Sequence, residues 1–327
     1  MAILRHNLFQ TQARLLSQAV PRRRASFSAL RRSYLYVPCS SQRMLEKSLS
    51  VDSDVIIYDL EDSVAPKDKA FALDNLVKFL QGGRTPEPGR VSIRVNDQTT
   101  PFFQEDLHRL AECRDRYSGL VLPKVHTAEY LENVSTMVPP HSSPLQIVAS
   151  IESAQAIMNI GSIAGWGKRP SEVEQLQFAA EDYCADTSII RTRSRHELLF
   201  TRSQIVNAAK AFKLEAIDMV CIHYKDLEYL EEECQNGRAL GFTGKQAIHP
   251  SQVSTIQSAF VPTSAEILRA AKILYQMELA QANRRGAIGL EGEMIDAPMI
   301  KQAENIIGIA KATGLDIPDV SVGAAVA

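Results

Sequence analysis

The chain has 327 residues, 45% hydrophobic and 23% charged, with a formal net charge of −2, which are proportions of a globular domain rather than of a disordered or fibrous chain. No apolar run reaches the roughly 18 residues of a membrane-spanning helix. Five cysteines (Cys39, Cys113, Cys184, Cys221, Cys234) form an odd, scattered set without C-x-x-C, which argues against a disulfide framework or a zinc site and fits a reducing compartment.

The charge is unevenly placed. Residues 1–32 carry seven arginines, no lysine and no acid, with apolar residues such as Ile3, Leu4, Leu8 and Phe9 among them. This is the pattern of a mitochondrial presequence, and a basic arm for nucleic acid is the competing reading. The remaining chain holds 29 basic against 38 acidic residues, so it lacks the clustered cations that phosphate backbones need. Neither a nucleic acid nor a membrane is expected as a partner.

Beyond the leader, short apolar runs alternate with helical patterns. Residues 34–38 read as a first strand, followed by a helix capped at Ser40 or Ser41. Strands follow at 54–59, 91–96 and 119–125, with helices at 66–80 and 103–113 between them. A fifth strand covers 145–151 and ends on Glu152. A helix at 153–160 leads to a sixth strand at 176–180, which ends on Glu181-Asp182. Helix 198–212, strand 217–222, helix 227–240 and strand 244–250 complete the series.

Eight strand and helix units over about 230 residues predict an α/β fold, a (β/α)8 TIM barrel occupying 33–262. The competing open doubly wound sheet calls for a glycine-rich turn after the first strand, and Tyr36-Val-Pro-Cys-Ser40 has none. The strand ends are rich in polar residues: Tyr36, Glu61 and Asp62, Arg94 and Asn96, Lys124, Glu152, Asp182, Tyr224 and Asp226, and His249. In a barrel these converge on the rim where active sites of this architecture lie. Glu152 and Asp182, each just past a strand end, are the hard oxygen ligands that suit Mg²⁺.

Residues 263–327 form a C-terminal extension. A helix at 264–282 leads to glycines 286, 289 and 292, then Asp296-Ala-Pro298 and a last helix at 299–313. Either a mobile lid or a surface hairpin with Asp296 as N-cap accounts for this segment.

Eight segments, taken in order, resemble the CitE-like acyl-CoA lyases of the HpcH/HpaI aldolase family, and within that family the mitochondrial citramalyl-CoA lyase pattern most. They are Leu35-Tyr-Val-Pro38, Asp59-Leu-Glu-Asp62, Ile93-Arg-Val-Asn96, Leu122-Pro-Lys124, Ile151-Glu-Ser153, Ala180-Glu-Asp182, residues 241–250 and Gly292-Glu-Met-Ile-Asp296.

The resemblance implies a Mg²⁺-dependent lyase that forms homotrimers or hexamers. It implies Glu152 and Asp182 as metal ligands and Arg94 as the substrate arginine. Tyr36, Arg43 and Lys47 would hold the CoA thioester, and Ile248 and His249 another part of the substrate. Glu61, Asp62 and Lys124 would stand behind them. Asp296 would be the catalytic acid or base, lent to a neighbouring subunit. Cys39, Arg43 and the Ala179-Ala180 pair depart from the family pattern and leave the acyl substrate open.

The expected reaction is reversible cleavage of citramalyl-CoA or malyl-CoA to acetyl-CoA and pyruvate or glyoxylate, in the mitochondrial matrix. A metal-dependent aldolase on free pyruvate-type substrates and a non-catalytic CoA-binding protein are the alternatives.

Overall fold

A computed structural model describes residues 30–139, 141–168, 171–282, 288–290 and 292–320. Most of the leader, residues 1–29, lies outside them, as does Gly286. The chain divides into two compact units, one spanning Arg31–Pro262 and one beginning at Thr263.

The larger unit is a closed barrel. Its strands are β1 (Ser33–Pro38), β2 (Val55–Asp59), β3 (Val91–Arg94), β4 (Gly119–Leu122) and β5 (Leu145–Ile151). A two-residue strand β6 (Gly167–Lys168) is followed by β7 (Ser171–Phe178), β8 (Glu215–Asp218) and β9 (Gly244–Ala247). Apart from β6, which runs antiparallel to β7, all neighbours pair in parallel, and the β5–β7 and β1–β9 ladders close the ring. The expected (β/α)8 barrel is therefore present.

Alternation along each strand explains why both faces are apolar. Tyr34, Val55, Ile57, Val121, Val148 and Ile217 pack together as one cluster inside the ring. Their alternating neighbours, such as Leu35, Ile56, Tyr58 and Leu120, join the larger core beneath the helices.

Some boundaries differ from the sequence reading. β7 begins at Ser171 rather than 176, because Glu172 and Glu174 alternate outward in its first half and interrupt the apolar run. It ends at Phe178, and Ala180 already starts the helix Ala180–Thr187. β8 ends at Asp218, so Met219-Val-Cys-Ile222 is loop, although Met219 and Cys221 are fully buried. The helix expected at 153–160 breaks at Asn159, whose side-chain amide donates to the His126 carbonyl.

Arg31 and Arg32, counted with the leader above, belong to the barrel. Arg31 reaches Gln146 Oε1 at 2.7 Å, Glu215 at 3.1 Å and Glu174 at 3.4 Å, on three different strands. Tyr34 donates to the other side of the same cluster, at Glu215 Oε2. Arg32 is clamped on Asp54 through Nε and Nη2. Composition assigned these residues to the leader because an arginine looks the same in either setting.

The smaller unit is a helical hairpin. Helices Ser264–Ala282 and Ala297–Ala312 bury Ile267, Ala270, Ile273, Ala303, Ile307 and Ala310 between them. The short strands β10 (Ile288–Leu290) and β11 (Glu293–Ile295) pair antiparallel, and Leu290 and Ile295 join that core. Gly292 turns the chain at φ +86, a left-handed value that favours glycine. Among the described residues no helix is long and apolar enough to cross a membrane.

Replacing Arg31 by Ala removes this donor from Glu174 and Gln146 and, among the described residues, leaves Glu215 with Tyr34 alone. We expect a loss of about 2 kcal/mol in urea unfolding. An unchanged midpoint would remove Arg31 from the barrel's supports.

Candidate active site

The carboxyl ends of β2 and β3 carry an ion cluster that sets up the site. Asp59 and Arg94 are register partners on these adjacent strands. Asp59 is fully buried and grips Arg94 twice, through Nε and Nη2, both at 2.7 Å. Arg94 and the amides of Glu61 and Ser63 hold the Asp59 carboxyl below the usual carboxylate range, against the opposing pull of burial.

Arg94 Nη1 meets Glu61 at 2.9 Å and Asp62 at 3.3 Å. Hydrogen bonds to Asp59 and Asp62 use three of the five guanidinium N–H groups, leaving one on Nη1, beside Glu61, and one on Nη2. The Arg94 guanidinium also lies 4.7 Å from the centre of the Tyr36 ring. Tyr36 is fixed from below: Gln177 donates to its hydroxyl, which donates to Gln246. The ring face, rather than the hydroxyl, is thus what Tyr36 turns to the ion cluster.

Lys124 ties this cluster to the next strand end. Its Nζ reaches Glu61 at 3.1 Å, and its backbone is left-handed at φ 53, which carries a conformational cost for a residue with a side chain. That turn aims the Lys124 amide at Glu152 Oε1, 2.6 Å away. Ser150 donates to the other oxygen at 2.8 Å.

Glu152 is only 5% exposed, and burial together with the neighbouring Asp182 charge pushes its carboxyl up to about 8. Asp182 is likewise shifted upward, by burial first and then by the charge of Asp62. Among the described residues no hydrogen bond or ion pair to another side chain is found for Asp182.

The acids outnumber the cations: with every group ionised, Asp59, Glu61, Asp62, Asp97, Glu152 and Asp182 face Arg94, Lys124 and Lys69, a deficit of three positive charges that burial and repulsion relieve by pushing Glu152 toward protonation. Two further positive charges would offset most of that deficit. Among the described residues no group of three His, Cys, Asp or Glu stands ready for a metal. Mg²⁺ is an ion that is held by one or two carboxylates, with waters and substrate oxygens completing its shell.

Among the described residues, no hydrogen bond or ion pair joins the other candidate residues to this cluster. Arg43 and Lys47 lie one turn apart on the helix Gln42–Ser48, which leaves β1 at the same rim; both are exposed. Neither is found in an ion pair among the described residues. Ile248 is exposed, and His249 caps the turn Pro250–Gln252, with Nδ1 near Ser251 and its ring 4.9 Å from that of Tyr224. Asn96 is committed to buried Asp106 through its amide and its side chain, so it supports the β3 exit rather than facing a ligand. Asp296 is in the tail unit, exposed, and caps the last helix by accepting from the Met299 amide at 3.1 Å.

The pattern of the HpcH/HpaI aldolase/citrate lyase family matches residues 32–250. The chain belongs to that family. It is 31% identical over 291 residues to the Homo sapiens protein "Citramalyl-CoA lyase, mitochondrial", with 86% of this chain and 85% of that one covered. It is 32% identical over 283 residues to the Deinococcus radiodurans "Citrate lyase subunit beta-like protein", covering 85% and 97%. Among solved structures it is similar to CitE from Mycobacterium tuberculosis in complex with magnesium, acetoacetate and coenzyme A. That match has a TM-score of 0.70 and 28% identity, over 88% of this chain and 99% of the other.

Within this family member, sequence reasoning quoted Asp59 in a motif but gave it no role. The signal was present: Val55, Ile57 and Asp59 share one face by the period of two, opposite a strand that ends in arginine. Asp59→Asn leaves Arg94 with its major partner uncharged, and we expect a loss of about 3 kcal/mol at neutral pH. Because the folded carboxyl sits below its unfolded value, this contribution is complete above the ordinary carboxylate range and is lost as pH falls through the lowered folded value. The difference between wild type and Asp59→Asn in urea unfolding should therefore shrink on acidification, and a constant difference would contradict the assignment.

Proposed function

We propose that this family member is a Mg²⁺-dependent carbon–carbon lyase. It cleaves a 3-hydroxyacyl-CoA, citramalyl-CoA or malyl-CoA, reversibly to acetyl-CoA and pyruvate or glyoxylate. The observation that carries the proposal is the Glu152–Asp182 pair, two carboxylates at a strand-end rim that burial and neighbouring charge both push upward, beside an arginine with an N–H to spare. The likeness to a CitE bound to magnesium and coenzyme A supports it.

Glu152 and Asp182 would hold the ion, which supplies Lewis acidity and a template for the carboxylate and hydroxyl oxygens of the acid half. Lys124 and Ser150 orient Glu152 for that task by donating to its two oxygens. When the carbon–carbon bond breaks, its electron pair passes to the thioester half and the hydroxyl becomes a carbonyl, its proton passing to solvent water; the later protonation of the carbon by Asp296, itself reprotonated from water, restores the proton count. The charge gathers on the thioester oxygen, where the remaining Nη2 hydrogen of Arg94 stabilises it. Asp59 keeps the guanidinium in place, so the residue need not reorganise during the step.

Asp296 then gives a proton to the enolate carbon, or in the synthetic direction removes one from acetyl-CoA. In our reading it does so from the tail of a neighbouring subunit in a homotrimer or hexamer. Arg43 and Lys47 meet the phosphates of the CoA arm, and Tyr36, Ile248 and His249 line the acyl end. The Arg-rich leader and the mitochondrial relative support a matrix location.

Acetyl-CoA incubated with glyoxylate or pyruvate should condense, and the product acyl-CoA should be cleaved; EDTA should stop both. Asp296→Asn should lower turnover by about 10²–10⁴-fold, and Glu152→Ala should abolish it. Near-normal rates in Asp296→Asn would remove that residue from the scheme. Mg²⁺-dependent turnover surviving in Glu152→Ala would place the ion elsewhere.

A further inference from the structure

We infer that Arg191 is a positioning residue for Asp182, tying the short helix that carries this carboxylate to a buried charge network under the barrel wall. The inference rests on the reading of Asp182 as a ligand of the divalent ion.

Asp182 is in the first turn of the eight-residue helix Ala180–Thr187. So short a helix is marginal by itself, and its N-cap, Ala179, provides no side-chain hydrogen bond. Two anchors flank the ligand. On one side Tyr183 packs edge-on against Phe178, at 5.6 Å between ring centres, and its hydroxyl accepts from Thr201. On the other side Glu181 is ion-paired with Arg191 Nη1.

Arg191 is itself fixed. Its Nη2 donates to the Val220 carbonyl and to Glu233, each at 3.0 Å. Glu233 pairs with Lys245 at 3.1 Å, Lys245 stands 3.7 Å from Asp218, and Asp218 takes two hydrogen bonds from Arg202. Glu233, Lys245 and Asp218 are all fully buried. The network is balanced, with Arg191, Arg202 and Lys245 against Glu181, Glu233 and Asp218. It joins helices Leu199–Phe212 and Leu227–Leu240 to β8 and β9. Glu181 is its outer member, half-exposed, and adjoins the ligand in sequence. Glu181 and Asp182 thus divide the work: one binds the protein, the other is left for the ion.

The test is Mn²⁺ binding to the purified full chain, read as free Mn²⁺ by electron paramagnetic resonance, without substrate. Removing a cation near the site by Arg191→Met would strengthen cation binding if charge alone mattered. Positioning expects the opposite, a loss of about tenfold in Mn²⁺ affinity, with partial recovery in Arg191→Lys. Glu181→Gln, at a half-exposed position, should weaken Mn²⁺ binding while leaving the thermal midpoint in EDTA unchanged. Should Arg191→Met fail to fold, Arg191→Lys carries the test, since it keeps the charge and loses the forked geometry: positioning expects weaker Mn²⁺ binding than wild type, and charge alone expects no loss. Arg193→Met, two residues away and exposed, should bind Mn²⁺ as the wild type does.

Wild-type affinity in Glu181→Gln, or tighter binding in folded Arg191→Met, overturns the positioning role. Asp182→Asn separates the two levels. If it abolishes Mn²⁺ binding while the Glu181 and Arg191 variants bind normally, only this inference falls. If Asp182→Asn binds normally, the ligand reading falls with it.

Discussion

Two carboxylates confined to one rim, past the ends of β5 and β7, govern this structure. Glu152 already takes two hydrogen bonds and is still driven toward its protonated form, by burial first and then by the Asp182 charge. Burying charge without a counter-charge is costly, and a fold keeps such an arrangement where something else completes it. The surroundings are built around that unmet demand. Lys124 adopts a left-handed backbone to offer Glu152 its amide, and the same residue's ammonium neutralises Glu61.

Arg94 shows the complementary design. A guanidinium free to swing would satisfy itself on any of the acids around it. Asp59 prevents that by holding both Nε and Nη2 from a fully buried position, while Tyr36 lies against the guanidinium. The cost of fixing the group is met by folding, so less is left to be met when charge develops beside it. Tyr36 is in turn immobilised by Gln177 and Gln246 in the lumen, so the site is held from the barrel interior as well as from the rim.

Much of this was legible in the sequence. Each strand end places its polar residue where the period of two and the barrel geometry require, which is why the sequence alone brings Arg94, Lys124, Glu61 and Glu152 to one rim. Asp59 escaped because its own run, Val55-Ile-Ile-Tyr-Asp59, reads as a buried strand, and only the neighbouring strand's register reveals its partner. Arg31 escaped for the opposite reason: its neighbours in sequence suggest a leader, while its partners lie 115, 143 and 184 residues away. The division of labour between Glu181 and Asp182 is likewise invisible locally, since adjacent acids look alike until Arg191 is seen to take one of them.

The central claim is that one divalent ion is shared by Glu152 and Asp182. Anomalous diffraction from crystals grown with Mn²⁺ tests it most directly. The account predicts a single strong peak at the rim within coordination distance of both carboxylates, about 2.1 Å if the ion follows Mg²⁺ geometry. A peak bound elsewhere, or the two side chains directed into separate surroundings with no ion between them, would contradict it.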